Sequence, residues 1–250
     1  MTTRFLFIVI AVALAAVAAE ATTIVAVKTR KEIVIGADSK VTDTFGNATG
    51  TTACKIVVSG KLAFGYAGFA RDHKTGFDIR KIVLDALSAA SSETLSRRVE
   101  SATAKVVEAL TEELRELKRN SEITYREKVE GKVFLRLIFA GFEKKRPALL
   151  LRRFRLGLLP DGSTGVVVSS ADCGADCEGN YVTRFIGETD AIDGLPEDTR
   201  DFWKTGLVPG VRRLVEVEIA ARDAYVGPPI DIIRILPSRI VWVQKKPECP

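Results

Sequence analysis

Histidine is almost missing from this chain of 250 residues: His73 is the only one. A metal site built on imidazoles, or a Ser-His-Asp triad, therefore has little to draw on. His73 itself falls in a polar stretch read as the start of a helix. Cysteines number only four. Cys173 and Cys177 share the polar loop Asp-Cys-Gly-Ala-Asp-Cys, and no second Cys/His pair lies near enough in sequence to suggest zinc. A local disulfide or two free thiols is the reading there, and Cys54 could pair with Cys249. No Gly/Ser/Pro-rich linker, repeat or low-complexity tract divides residues 22–250, so they read as one globular domain. Charge of one sign is not in large excess: 37 basic against 32 acidic residues give +5. The clusters Lys144-Lys145-Arg146 and Arg152-Arg153-Arg155 read as solvated strand and turn positions. A nucleic-acid binder needs a basic face interleaved with aromatics, which this chain lacks.

Long apolar runs are also scarce, and the single one is at the start. Phe5 to Ala19 is uninterrupted for 15 residues after Arg4, and Ala19-Glu20-Ala21 is a small-x-small cleavage site. A membrane span needs about 20 apolar residues, so residues 1–21 read as a signal peptide removed by a signal peptidase, with an uncleaved anchor as the alternative. That places the protein in the periplasm or outside the cell, with no stable membrane span after cleavage. The cut leaves Thr22 first, and a terminal threonine carries a hydroxyl nucleophile and a free amine base together.

Along the rest of the chain the hydrophobic period changes several times. Thr22–Thr29 and Ile33–Gly36 read as a hairpin about Arg30-Lys31-Glu32. Thr42–Thr52 reads as a loop, and Asn47-Ala-Thr49 fits a glycosylation acceptor where the source modifies secreted proteins. Lys55–Gly68 reads as a strand pair around Ser59-Gly60. Apolar positions from Ile79 to Leu87 and from Leu95 to Leu114 then repeat at helical spacing, with Ser91-Ser92 as a start signal for the second helix. Strands follow at Lys132–Ala140, Leu149–Phe154, Gly165–Ser169 and Asn180–Ile186. A helix through Val211–Ala220 and strands at Ile230–Ile235 and Ile240–Val243 close the chain. This order predicts sheets covered by helices on their outer faces.

A terminal threonine needs its base neutral and donors for an oxyanion. Its amine has a reference pKa near ~7.7–8.0; a buried cation nearby lowers it, and a carboxylate holds that cation in place. Asp38 directly after one strand and Lys55 at the start of another offer such a pair. Gly68, at a strand-to-helix junction, offers a backbone N–H to an oxyanion.

Thr22-Thr-Ile-Val-Ala-Val-Lys, Gly36-Ala-Asp-Ser-Lys, Cys54-Lys-Ile-Val, Ala67-Gly-Phe-Ala-Arg-Asp, Phe139-Ala-Gly-Phe-Glu and Arg222-Asp-Ala-Tyr together resemble the catalytic β-subunits of the 20S proteasome. The resemblance spans about Thr22 to Val243. It implies an α+β N-terminal nucleophile hydrolase fold, a four-layer αββα sandwich of two antiparallel sheets covered by helices. It also implies a threonine-type endopeptidase needing no cofactor or metal. By carry-over, Thr22 is nucleophile and base, Lys55 tunes it, Asp38 orients Lys55, Asp223 supports the amine and Gly68 receives the oxyanion. Val41, Thr42, Tyr66 and Ala70 line a side-chain pocket or bind substrate backbone. The substrate is a peptide or unfolded protein, and a ring-forming homo-oligomer is the expected assembly.

Three positions depart from that family. Its usual serine near the active threonine is replaced in Gly187-Glu188-Thr189, where Thr189 is the nearest hydroxyl; a second serine is replaced by Val226. Ala21 stands where a self-cleaving glycine is usual. Two alternatives stay open beside the peptidase: a catalytically silent ring subunit, and a peptidyl or acyl transferase using the same threonine. Glu188, Asp190 and Asp193 form an acidic loop that reads as solvated surface.

Overall fold

A computed structural model describes residues 19–20, 22–42, 48–72, 74–173, 177, 181–195 and 200–249. His73, Asn47, Ala21 and residues 1–18 of the expected signal peptide lie outside the described residues.

The chain opens with β1 (Ala19–Glu20), β2 (Thr23–Lys28), β3 (Ile33–Ala37), β4 (Lys40–Thr42), β5 (Ala48–Thr52), β6 (Ile56–Ser59), β7 (Leu62–Phe69), β8 (Arg71–Asp72) and β9 (Phe77–Asp78). Three helices follow: α1 (Ile79–Ala89), α2 (Leu95–Asn120) and α3 (Glu122–Lys128). Next come β10 (Val133–Glu143), β11 (Arg146–Leu158), β12 (Thr164–Ser170) and β13 (Val182–Gly187). The chain ends with α4 (Asp190–Asp193), α5 (Arg200–Trp203), α6 (Leu207–Ala221), β14 (Asp231–Ile235) and β15 (Ile240–Gln244).

The six-stranded sheet runs β1-β7-β10-β11-β12 with β6 also on β7, and the five-stranded sheet runs β13-β2-β3-β14-β15. Strands β2 and β3 are buried on both faces, which is why their sequences are apolar almost throughout. Ile24 and Ala26 meet Ala63, Ala67 and Ile138 of the other sheet, while Val25 and Val27 pack with Val211, Leu214 and Val215 of α6. Phe64, Tyr66 and Phe139 pack instead under Val83, Leu87, Val99 and Val106 of α1 and α2.

The expected four-layer αββα sandwich is corrected by this architecture. The molecule is mixed and strand-rich, at 31% helix and 39% strand. Among the described residues its antiparallel strands are divided among four sheets, because β4–β5 and β8–β9 form separate two-stranded ribbons. Helical cover is also unequal: α1 and α2 lie on the larger sheet, whereas among the described residues α6 is the one long helix packed on the other. The physical reason is that hydrophobic period identifies a strand without saying which sheet it joins. Both ribbons fall where the sequence reading differs. Ala48–Thr52, read as loop, carries the β-branched threonines that suit a strand. Arg71–Asp78 pairs as a ribbon before α1 begins at Ile79, where the Asp78 side chain caps Arg80 and Lys81 N–H groups. The start of α2 is capped by Thr94, not by Ser91 or Ser92.

Both possible cysteine pairs form: Cys54 with Cys249, and Cys173 with Cys177. Among the described residues no helix is long and apolar enough to cross a membrane.

Candidate active site

The hairpin of β2 and β3 brings Asp38 beside the start of β2. Asp38 N–H donates to Thr23 O at 3.1 Å, and Thr23 N–H donates to Asp38 Oδ1 at 2.8 Å. The carboxylate is fully buried, as is Lys55. Lys55 Nζ donates to Asp38 Oδ1 and Oδ2 at 2.9 and 3.0 Å and to Lys40 O at 2.7 Å. An ammonium has three N–H donors, so Lys55 can serve both carboxylate oxygens and a carbonyl together. Asp38 Oδ2 also accepts from Lys40 N at 3.1 Å and Gly227 N at 3.2 Å. Two buried charges are thus compensated by each other and by main-chain donors and acceptors, as burial requires.

Thr22 is itself 1% exposed. Its carbonyl accepts the Glu188 N–H at 2.6 Å, and Thr23 Oγ1 donates to Glu188 O at 2.7 Å. This close approach depends on Gly187, whose φ is +95°; a Cβ there would fall 1.6 Å from Thr22 O. Glu188 therefore reaches the threonines through its backbone, so the contact is indifferent to the loss of a serine there. Thr189 does not replace that hydroxyl, because its Oγ1 donates to Asp193 Oδ2 at 2.8 Å.

Gly68 lies within β7 rather than at a strand-to-helix junction, since the β8–β9 ribbon intervenes before α1. Its φ is +104°, and a Cβ would come 2.2 Å from Phe134 O. On the outer edge of β7, β6 pairs with Leu62 to Gly65, and Ala19 and Glu20 of β1 pair with Phe69 and Gly68. Glu20 is opposite Gly68, and β1 also lies against β4, which carries Val41 and Thr42. The stretch just before Thr22 therefore occupies an edge next to the glycine expected to serve an oxyanion.

The other expected residues fall less centrally. Asp223 is exposed, and its carbonyl accepts Lys40 Nζ. Its segment reaches the site through Gly227, four residues on, while Val226 is fully buried. Arg222 pairs with Asp190 rather than with its neighbour. Tyr66 and Ala70 are closed inside the apolar cluster under α1 and α2; Tyr66 Oη donates to Cys54 O at 3.1 Å, and Ala70 O accepts from Ile79 N at 2.9 Å. Val41 is half-buried and Thr42 is buried. The acidic loop is only partly solvated surface: Asp190 is exposed, but Glu188 is half-buried against the threonines.

Sequence reasoning missed a second buried pair that braces the first. Lys246 Nζ donates to Asp231 Oδ2 at 2.5 Å, to Ala53 O at 2.8 Å and to Ser39 Oγ. It thus ties together the residues flanking Asp38 and Lys55, and Cys54–Cys249 fastens the same C-terminal segment beside Lys55. No local signal announces this, because Lys246 and Ala53 are 193 residues apart. Among the described residues, no group of three or more His, Cys, Asp or Glu side chains could hold a metal ion. No model of a known protein family matches the chain, and no curated protein matches it.

Proposed function

We propose that this chain is the precursor of a threonine-type peptidase or amidase whose nucleophile, Thr22, is exposed when residues 1–21 are removed. One observation carries the reading: a fully buried Lys55–Asp38 pair is bonded to the N–H of the residue next to Thr22, while the leader pairs across Gly68. A buried ion pair adds little to stability by itself, so its place beside a potential terminal threonine favours a functional role.

After the cut, the Thr22 hydroxyl oxygen attacks a substrate carbonyl and its proton passes to the terminal amine. The Lys55 charge favours the neutral amine and the developing alkoxide. The tetrahedral oxyanion is received by a backbone N–H at Gly68. Collapse breaks the C–N bond, the leaving amine takes the proton, and an ester on Thr22 remains. Water activated by the terminal amine then attacks the ester and releases the acid. Removal of β1 also frees Gly68 and Phe69 to pair with an extended substrate strand, a mode in which main-chain bonds supply affinity. Asp223 acts by holding the Lys40 chain and the Gly227 turn against Asp38.

The resemblance to proteasome β-subunits supports the same reading and suggests a homo-oligomeric ring acting on peptides or unfolded protein. The apolar run before Ala19-Glu20-Ala21 supports export and external cleavage. The test is labelling of the mature chain with a peptide epoxyketone, which needs a hydroxyl and a free amine on one residue. The adduct is expected on the wild type and not on Thr22→Ala. A folded chain beginning at Thr22 that takes no label would favour the silent-subunit alternative.

A further inference from the structure

A cleft of about 460 Å³ opens beside the candidate site, lined by Arg136, Arg153, Arg184, Gly187, Thr189 and Asp193 among others. Its arginines come from both larger sheets. Arg136 on β10 is directly opposite Arg153 on β11, and opposite Ala67 on the β7 side. Arg184 is on β13, opposite Ala26 of β2. Like charges placed directly across a strand pair repel, so the sheet is less stable for holding Arg136 and Arg153 together. Among the described residues no carboxylate forms an ion pair with any of the three. Arg184 donates from one terminal nitrogen to Thr183 O at 3.0 Å, and its buried Nε has no hydrogen-bond partner.

Two acids lie near this group of three cations. Asp193 lines the same cleft with its carboxylate accepting the Thr189 hydroxyl, and Glu188 acts on Arg136 through its charge, but neither forms an ion pair with the three arginines. Burial and Arg153 lower the affinity of Arg136 for its proton, with a smaller opposing effect from Glu188. Three guanidiniums with spare donors, two of them half-buried, face a space whose wall includes Gly187, and Gly187 packs on Thr22 O. Planar guanidinium donors suit a carboxylate better than any other common peptide group.

We propose that this arginine cleft binds a carboxylate of the peptide substrate, so that the enzyme selects acidic peptides. The inference rests on the reading of Thr22 as nucleophile. The carboxylate comes either from an Asp or Glu side chain or from the peptide's own C-terminus, and both satisfy the same fork of donors.

The test is a binding measurement that does not use the nucleophile. The chain beginning at position 22 and carrying Thr22→Ala is titrated with matched peptides: Glu against Gln at each position in turn, and C-terminal acid against amide. A carboxylate preference of about ten-fold is expected from one charge-assisted contact. The Glu/Gln arm reports a side-chain source and the acid/amide arm a C-terminal one. Arg136→Gln and Arg184→Gln should each abolish most of that preference. Their melting temperatures should not fall, since each removes an unneutralised cation. Equal affinity across both arms overturns the proposal, as does a preference unchanged in both variants. Absence of epoxyketone labelling on the chain that keeps Thr22, with the preference intact, would instead sink the peptidase reading and leave the carboxylate cleft standing.

Discussion

Removing Lys55 leaves the Asp38 carboxylate fully buried without its counter-charge, and the cost can be worked from the geometry. Lys55→Met keeps most of the side-chain volume but deletes the Nζ contacts to Asp38 Oδ1, Asp38 Oδ2 and Lys40 O. The Thr23, Lys40 and Gly227 N–H groups still hold the carboxylate, so it is strained rather than abandoned. Breaking one side of a buried pair costs about 3–5 kcal/mol, out of a total stability of about 5–15 kcal/mol. In a domain of this size each kcal/mol shifts Tm by about 2–4 °C, so a fall of roughly 6–20 °C is expected. Asp38→Asn alone should cost a similar amount. The double variant Lys55→Met/Asp38→Asn, which removes both charges of the pair, should cost clearly less than the sum. Thermal and denaturant unfolding of the four proteins closes the cycle. Additivity within about 0.5 kcal/mol would refute the coupling, and with it the claim that this pair is a single buried unit. Epoxyketone labelling should be lost in all three variants, including the double one whose stability recovers.

Three further outcomes follow from the same contacts. Gly187→Ala places a Cβ 1.6 Å from Thr22 O at a φ of +95°, so a loss above about 2 kcal/mol in denaturant unfolding is expected, together with lost labelling. Replacing Cys54 and Cys249 by serine opens a link across 195 residues, which should cost up to about 5 kcal/mol on the loop-entropy estimate and slow labelling by loosening Lys55. Glu218, a buried residue of α6 facing α4, has its carboxyl held above the usual range by desolvation, although Ile192 and Ala191 N–H groups pull it down. A raised folded-state pKa means the native chain binds the extra proton, so stability present below the unfolded value of about 4.3 is lost as pH rises through the folded value. Glu218→Gln, which keeps a carbonyl acceptor, should flatten that fall in Tm between pH 4 and 7.

Much of the site was legible because it is local in pattern. Ile33–Ala37 ending at Asp38, and Lys55 opening a strand, are adjacent to runs whose period is plain. What the runs do not encode is their assembly. Nothing in Lys40–Thr52 or Arg71–Asp78 says that these residues pair as ribbons apart from the larger sheets. Tyr66 reads as a pocket floor, yet alternation along β7 turns it into the helix-covered core. Lys246 and the Arg136–Arg153–Arg184 group are ordinary surface cations in sequence; only the strand register across distant segments makes one a brace and the others a cleft.

The central claim is that removal of the leader both opens the edge at Gly68 and turns Thr22 into the nucleophile. Intact-mass and fragment-ion spectrometry of the exported chain, taken after epoxyketone treatment, tests it most directly. The account predicts a mature chain beginning at Thr22 with the adduct on that residue. A mature chain beginning elsewhere, or one beginning at Thr22 that is folded and carries no adduct, would contradict it.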